Sequence, residues 1–401
     1  MPSHTEAWMD RAKRVLTPNY RQQPLALVRG EGVRVWDADG NEYFDLLCGV
    51  AVNALGHCHP ALVRAIEEQA RTLWHVSNHY FIPRQIELAE ALLEATPFAK
   101  RVFFCNSGAE ANEAMLKLAR RYHSDRGEPQ RNEIIATHNS FHGRSLFTLS
   151  CTGQPKYQHG FEPLVPGVLH VPYGDAAALE AALSERTAGF IVEPIQGESG
   201  VLPAPEGYLA RARELTREAG ALLLVDEIQT GMGRTGRMWA HEWEGIEPDL
   251  MSSAKALGNG FPIGALLASE EVGTHLSSGT HGSTFGGNTL GCAVALASLR
   301  EIRAALPHSR EISERLFKAL GALQAGGRVA GVRGRGMLIG VRVQGVDAAE
   351  VMRAARARGL LVNAIGSDVI RLAPPLTLTA DEADEAVKRF AAALAAAPAK
   401  G

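Results

Sequence analysis

Lysine is scarce in this chain: only eight of its 41 basic residues are lysine, and the rest are arginine. Seven of the eight lie in polar or charged stretches. Lys255 instead is the only charged residue between Leu250 and Ser269, in LMSSAKALGNGFPIGALLAS. A lone ammonium in small, apolar, glycine-rich surroundings is costly to desolvate unless it is paired, neutral or covalently engaged. The plain alternative is a stem that packs while its head reaches water.

Three other stretches place chemistry where an α/β enzyme uses it. ALLLV ends in Asp226 and Glu227, 29 residues before Lys255. Carboxylates at the carboxyl end of a buried strand stand where open α/β sheets bind ligands, and they must meet a cation or hydrogen-bond donors. VFFCN runs into Ser107-Gly108-Ala109 and then a helical pattern. Such a turn offers a hydroxyl and unpaired N–H groups at the positive end of a helix, which suits a phosphate, although serine is also an ordinary N-cap. HGSTFGGN, at 281–288, is a loop rich in small donors.

Other patterns carry less. Gly231-Met232-Gly233-Arg234-Thr235-Gly236 fits G-x-G-x-x-G, but four residues separate it from the strand and no clear helix follows, so the dinucleotide reading fails on context. His57-Cys58-His59 has no further ligand at a recognisable metal spacing. His241-Glu242 lacks the second histidine of a zincin. The five cysteines show no C-x-x-C pair, so no metal site is expected.

A net charge of −3 and 46% hydrophobic residues describe a globular protein without the basic stripe that nucleic acid requires. No apolar run suits a membrane span. The first twenty residues carry Glu6 and Asp10 and no apolar stretch, unlike a secretory leader; the expected compartment is the cytoplasm.

The elements that must position these groups alternate. GVRVWDADGNEYFDLL turns at Asp39-Gly40, a hairpin signal. A helix follows GHCHP. RVFFC, EIIAT, GFIVEP and ALLLVDE read as buried strands, with amphipathic segments at 111–122 and 205–220 among them. This predicts α/β architecture around a mostly parallel sheet. Beyond about residue 290 two helices are expected, one over 292–306 and one near 310–324. Strand GMLIGVRV, a helix at 348–359 and short strands LLVNAI and VIRLAP come next. Thr379 with Glu382 forms a capping box for a last helix. These form a smaller α+β domain that the N-terminal hairpin joins.

LLLVDEIQTGMGRTG and EPDLMSSAKALGNGFPIGA, with SGAEANE and SFHGR upstream, resemble the class III pyridoxal-phosphate aminotransferases from about residue 18 to the C-terminus. VNALGHCHP, SFHGR and GSTFGGN are most similar to members acting on acetylornithine; enzymes for ornithine, succinylornithine, lysine-pathway intermediates or 4-aminobutyrate, and same-fold aminomutases, are the alternatives. The resemblance implies the fold type I architecture, with a seven-stranded sheet in a large domain (58–302) and a small domain from 1–57 and 303–401. It implies pyridoxal 5'-phosphate joined to Lys255, with Asp226 keeping the pyridine nitrogen protonated. Ser107, Gly108 and Ala109 would hold the phosphate, Phe141 the ring face, and Gln229 the region of the phenolic oxygen. Thr284 would reach the phosphate of a second subunit, making a homodimer part of the site. Arg144 would grip a substrate carboxylate and Ser283 would add a contact. Glu198 and Arg371 match a pair that, in ornithine-type relatives, opens to admit the second substrate. The implied substrates are a small amino donor and 2-oxoglutarate.

Overall fold

The computed structural model describes residues 3–400 of the chain. Its centre is a seven-stranded sheet: β1 (Arg101–Cys105), β2 (Glu133–Thr137), β3 (Val168–Val171), β4 (Thr187–Val192), β5 (Leu222–Asp226), β6 (Leu250–Ser253) and β7 (Gly264–Ala268). The spatial order is β1-β7-β6-β5-β4-β2-β3. β7 runs antiparallel to both neighbours, β1 and β6; the other pairs are parallel.

Every residue of β4, β5, β6 and β7 is buried. Helices cover both faces, which is why these strands read as continuous apolar runs rather than alternating ones. Strand periodicity still sorts their side chains. Leu222 and Leu224 pack with Ala114, Met115 and Leu118 of the helix Gly108–Asp125, whereas Leu223 and Val225 pack with Leu209 and Ala212 of the helix Tyr208–Glu218. By the same period of two, Asp226 emerges on the face of the Gly108–Asp125 helix.

Three strands depart from the sequence expectation. The stretch 250–269, expected as a glycine-rich loop around Lys255, is two strands, β6 and β7, joined by the turn that carries the lysine. LMSS and GALLA are short, rich in small residues and lack β-branched side chains, so neither local propensity nor periodicity marks them; pairing with β5 and β1 creates them. β3 is equally short and was not anticipated. The two helices expected over 292–324 are one continuous helix, Thr289–Ala322, with Pro307 inside. A proline usually ends a helix, but here Ile302, Ile312, Leu316 and Leu320, on both sides of it, are buried in one core.

The two ends of the chain meet. The hairpin Arg34–Asp37/Glu42–Asp45 forms as expected, and Glu42–Asp45 also pairs in parallel with Leu360–Leu361. A further antiparallel sheet joins Val329–Arg335, Leu338–Val343, Val369–Leu372 and Asn363–Ile365. The Thr379–Glu382 capping box heads the helix Ala380–Ala396. Among the described residues no helix is long and apolar enough to cross a membrane.

Phe190, 0% exposed at the middle of β4, ties the sheet to its outer helix layer. Phe190→Ala should cost about 3–5 kcal/mol. Urea unfolding followed by circular dichroism should show an earlier midpoint, and an unmoved midpoint would contradict this packing.

Candidate active site

The carboxyl ends of β4, β5 and β6 open into a cavity of about 360 Å³. Lys255 reaches it from the turn after β6. Its own φ is +39°, a left-handed conformation that lysine rarely adopts. Such strain persists only where the surroundings over-determine it, and it concentrates at functional sites. The turn can close because residue 258 is glycine: a Cβ there would lie 1.9 Å from the Phe261 carbonyl oxygen. Burial pushes the Lys255 amine down to about 8, with the Glu198 carboxylate opposing and the Arg371 guanidinium reinforcing the shift. The isolated lysine of the 250–269 stretch is therefore an interior amine, about a tenth neutral at pH 7.

Asp226 stands at the end of β5, 4% exposed. Its Oδ2 accepts from Asn112 Nδ2 at 2.7 Å and lies 2.8 Å from His142 Nδ1; its Oδ1 accepts from the Ile228 N–H at 3.0 Å. A carboxylate has about four acceptor positions, so three donors fix it in place and leave capacity for one more cationic N–H. Glu227, its neighbour in sequence, turns away from the cavity. It is fully buried against the backbone N–H and ring of His241, and it accepts from Thr230 Oγ1.

Ser107, Gly108 and Ala109 line the opposite end, at the start of the helix Gly108–Asp125. Ser107 is its N-cap, the Oγ accepting from the Glu110 N–H at 3.2 Å. Gly108 must be small, since a Cβ would lie 2.8 Å from Ile228 Cδ1. The first turn of an 18-residue helix thus faces the cavity, a ready place for an anion.

Phe141 and Arg144 form one wall. Arg144 makes no ion pair among the described residues; its guanidinium lies 3.9 Å over the Tyr157 ring and 5.4 Å from that of Phe141. Glu198 and Gln229 line the other side. Arg371 reaches them from Val369–Leu372, its Nη1 donating to Glu198 Oε1 at 2.6 Å and to Gln229 Oε1 at 3.2 Å, and its Nη2 to Asn363 Oδ1 at 2.9 Å. Burial alone would raise the Glu198 carboxyl, but Arg371 and Lys255 hold it below the usual range.

Most of the residues singled out in the sequence therefore converge. Ser283 and Thr284 do not enter this chain's cavity. The Ser283 hydroxyl accepts from Asn106 Nδ2 and from the Gly286 N–H, both at 3.0 Å, and Thr284 is exposed on the same loop.

Sequence reasoning missed Asn112, His142 and Glu193. Glu193 lines the cavity beyond β4 and accepts the Phe141 N–H at 3.0 Å; burial, and then the charge of Asp226, push its carboxyl well above the ordinary range. The argument that singled out Asp226 applies equally to the glutamate ending GFIVE. Nothing local marks Asn112 or His142, since only the fold brings them to Asp226.

A strained interior lysine facing a pinned carboxylate and a helix N-terminus defines an enzyme built to tether an anionic cofactor. Residues 15–394 match the aminotransferase class-III family. The chain is 51% identical to acetylornithine aminotransferase of Pseudomonas putida, with 95% of each chain covered. It is 49% identical to succinylornithine transaminase/acetylornithine aminotransferase of Pseudomonas aeruginosa, again with 95% of each covered. The structure of ornithine aminotransferase from Toxoplasma gondii, which has PLP at partial occupancy in its active site, superposes with a TM-score of 0.94 at 35% identity, covering 98% of this chain and 94% of that one.

The chain belongs to the class III aminotransferases, and it is a transaminase that depends on pyridoxal phosphate. The residues present fit that cofactor. An amine is available for its aldehyde, a carboxylate with a spare acceptor position for its ring nitrogen, a helix N-terminus for its phosphate and an aromatic side chain for its ring.

With cofactor removed, Lys255 should react with an amine-directed reagent at a rate that rises through pH 8 and then levels. Surface lysines should keep rising toward their ordinary 10.5. Peptide-resolved labelling across pH measures this, and a Lys255 profile that tracks the surface lysines would refute the lowered amine.

Proposed function

We propose that this chain transfers the δ-amino group of N2-acetylornithine to 2-oxoglutarate, giving N-acetylglutamate 5-semialdehyde and glutamate, a step of arginine biosynthesis. The observation that carries the reading is the ion pair between Glu198 and Arg371, 2.6 Å apart beside Lys255, with Arg144 left free at the cavity wall. A donor that reacts at its δ-carbon holds its carboxylate several bonds away and leaves its reacting end uncharged apart from the amine. It suits a site whose inner cation is already neutralised and whose outer cation is open. A 2-oxo acid carries a carboxylate next to the reacting carbon, and it suits the same site once Glu198 swings off Arg371. Arg144 engages the distant carboxylate in each case, a task for which a planar fork is better than an ammonium. The relatives named for acetylornithine support this choice of donor.

The cofactor, when bound, supplies an electron sink for the carbanion left by proton removal. The chain's residues do the rest. Lys255 Nζ, near 8, takes the proton from the carbon that bears the amine and can give it back. Such positioned proton transfer is worth about 10²–10⁴-fold. Asp226, held in place by Asn112, His142 and the Ile228 N–H, would keep a ring nitrogen protonated. Ser107, Gly108 and Ala109 receive the phosphate, Phe141 covers the ring and Gln229 donates near the phenolic oxygen. Ser283, on the loop that carries Thr284, would add a contact to the donor in the cavity of a second copy.

Thr284 is exposed and does not line its own cavity, which fits a role at the phosphate of a second copy in a homodimer. Tyr80 and Phe81 support that assembly: Phe81 is 95% exposed, and neighbouring Asn78 donates to the Ser283 and Gly286 carbonyls. Apolar surface beside the same loop calls for a cover. The cofactor-binding unit spans 58–302 and the smaller unit combines 1–57 with 303–401, linked by the helix Thr289–Ala322. The compartment is cytoplasmic.

A panel of acetylornithine, succinylornithine, ornithine and 4-aminobutyrate with 2-oxoglutarate tests the donor. Acetylornithine should give the highest kcat/KM, and turnover without any 2-oxo acid would indicate an aminomutase instead. On the same panel Glu198→Ala, which leaves Arg371 uncovered, should lower kcat/KM for acetylornithine at least about tenfold relative to that for glutamate. Unchanged selectivity would remove the pair from the mechanism.

A further inference from the structure

The hexapeptide Gly231–Gly236 has a nucleotide-binding spacing in the wrong context, and the proposed reaction leaves it idle. Its arginine is placed for something else. Arg234 and Arg371 are the two guanidinium groups among the largest fully buried side chains. Arg371 has Glu198, but Arg234 has no carboxylate within ion-pair reach among the described residues. Burial brings its guanidinium down to about 10. Its Nη1 donates to the Pro374 carbonyl and, at 3.3 Å, to that of Met337.

The backbone reinforces this tie. The Met337 N–H donates to the Arg234 carbonyl at 2.9 Å. A Cβ on Gly336 would lie 2.4 Å from the Thr235 carbonyl carbon, so the two segments touch main chain to main chain. Gly233 keeps the loop close to the segment after Leu372, because a Cβ there would lie 3.0 Å from Leu376 Cδ1. The glycine spacing thus serves close packing of the loop against the hairpin turn at 335–337 and the segment after Leu372.

Those two stretches also hold the polar gate. Gln229 lies just upstream of Arg234 on the loop, and Arg371 lies just upstream of Pro374 on the strand. Arg371 Nη1 donates to Gln229 Oε1 at 3.2 Å. Two arginines therefore cross between the same pair of segments, one at the cavity and one beneath it.

We infer that Arg234 is a positioning residue: by tying the Gln229 loop to the strand of Arg371, it sets where the Arg371 guanidinium stands when it receives the carboxylate of the 2-oxo acid. The inference rests on the role proposed above for Arg371. Both bonds are made by one nitrogen, Nη1, which the rigid guanidinium plane holds between the two carbonyls, whereas a lysine ammonium stands on a flexible stem.

Holoenzymes carrying Arg234→Lys, Arg371→Lys and both changes test this. Arg234→Lys should raise KM for 2-oxoglutarate at least about tenfold, while KM for acetylornithine and the single-turnover donor half-reaction, read from cofactor absorbance, stay within about twofold. Because Arg234 acts through Arg371, the double variant should be no worse than Arg371→Lys alone. Additive effects, an unchanged KM for 2-oxoglutarate, or parallel rises for both substrates would overturn the inference. If Arg371→Lys itself leaves KM for 2-oxoglutarate unaltered, the role of Arg371 is wrong and the inference falls with it. Arg234→Gln, which retains two N–H donors, stands in if the lysine variant does not load cofactor. Failure of both to load would make Arg234 a general folding residue and overturn the inference as well.

Discussion

The withdrawal of one ammonium group from water is the constraint around which this molecule is arranged. Lys255 sits at the end of a strand buried on both faces, on backbone that a lysine ordinarily avoids. Isolated burial of that charge would cost several kcal/mol. The structure avoids the cost by lowering the amine's proton affinity and surrounding it with Glu198, Asp226 and Glu193, against the single cation Arg371. A nitrogen that can shed its proton near neutral pH is also the nitrogen that can condense with an aldehyde and serve as a base. The solution to the burial problem and the chemistry are one arrangement.

The three carboxyl groups around that amine are not equivalent, and their differences define their uses. Glu198 faces Arg371 and Lys255 and stays charged. Glu193, enclosed and near the charge of Asp226, is driven toward its neutral form. Asp226 is pinned by three donors, so it has little freedom to turn aside. Groups of one chemical type are thus pushed apart by environment into a gate, a carboxyl pinned in place and a carboxyl raised toward its neutral form. The gate is the only one whose partner comes from the C-terminal sheet, which makes it the one best placed to respond to a substrate.

That outside partner depends on contacts well below the cavity floor. Arg371 belongs to a sheet assembled from the C-terminal part of the chain, and the central sheet meets it through the loop after β5. Along this seam close approach matters, since Gly336 stands where any side chain would collide with the Thr235 backbone and Gly233 where one would press on Leu376. Glycine-rich stretches that look like flexible loops are, in this protein, surfaces of tight contact.

Much of the machinery was legible in the sequence. Lys255 stood out because an isolated charge in apolar company needs a reason, and Asp226 because LLLVD can only be a buried strand ending in a carboxylate. The strands RVFFC, EIIAT and LLLVD, the hairpin and the last capping box were readable for the same reason: their signals are local. β6 and β7 were not, because LMSS and GALLA become strands only by pairing with neighbours distant in the chain. Pro307 could stay inside a helix only because a core on both sides holds that helix together. Asn112, His142 and Arg234 look ordinary in the sequence and acquire their tasks from residues more than 80 positions away. Composition and short-range pattern therefore determined which groups could do chemistry. Which of them meet, and at what charge, was decided by long-range packing, because desolvation and ion pairing depend on neighbours that no local stretch contains.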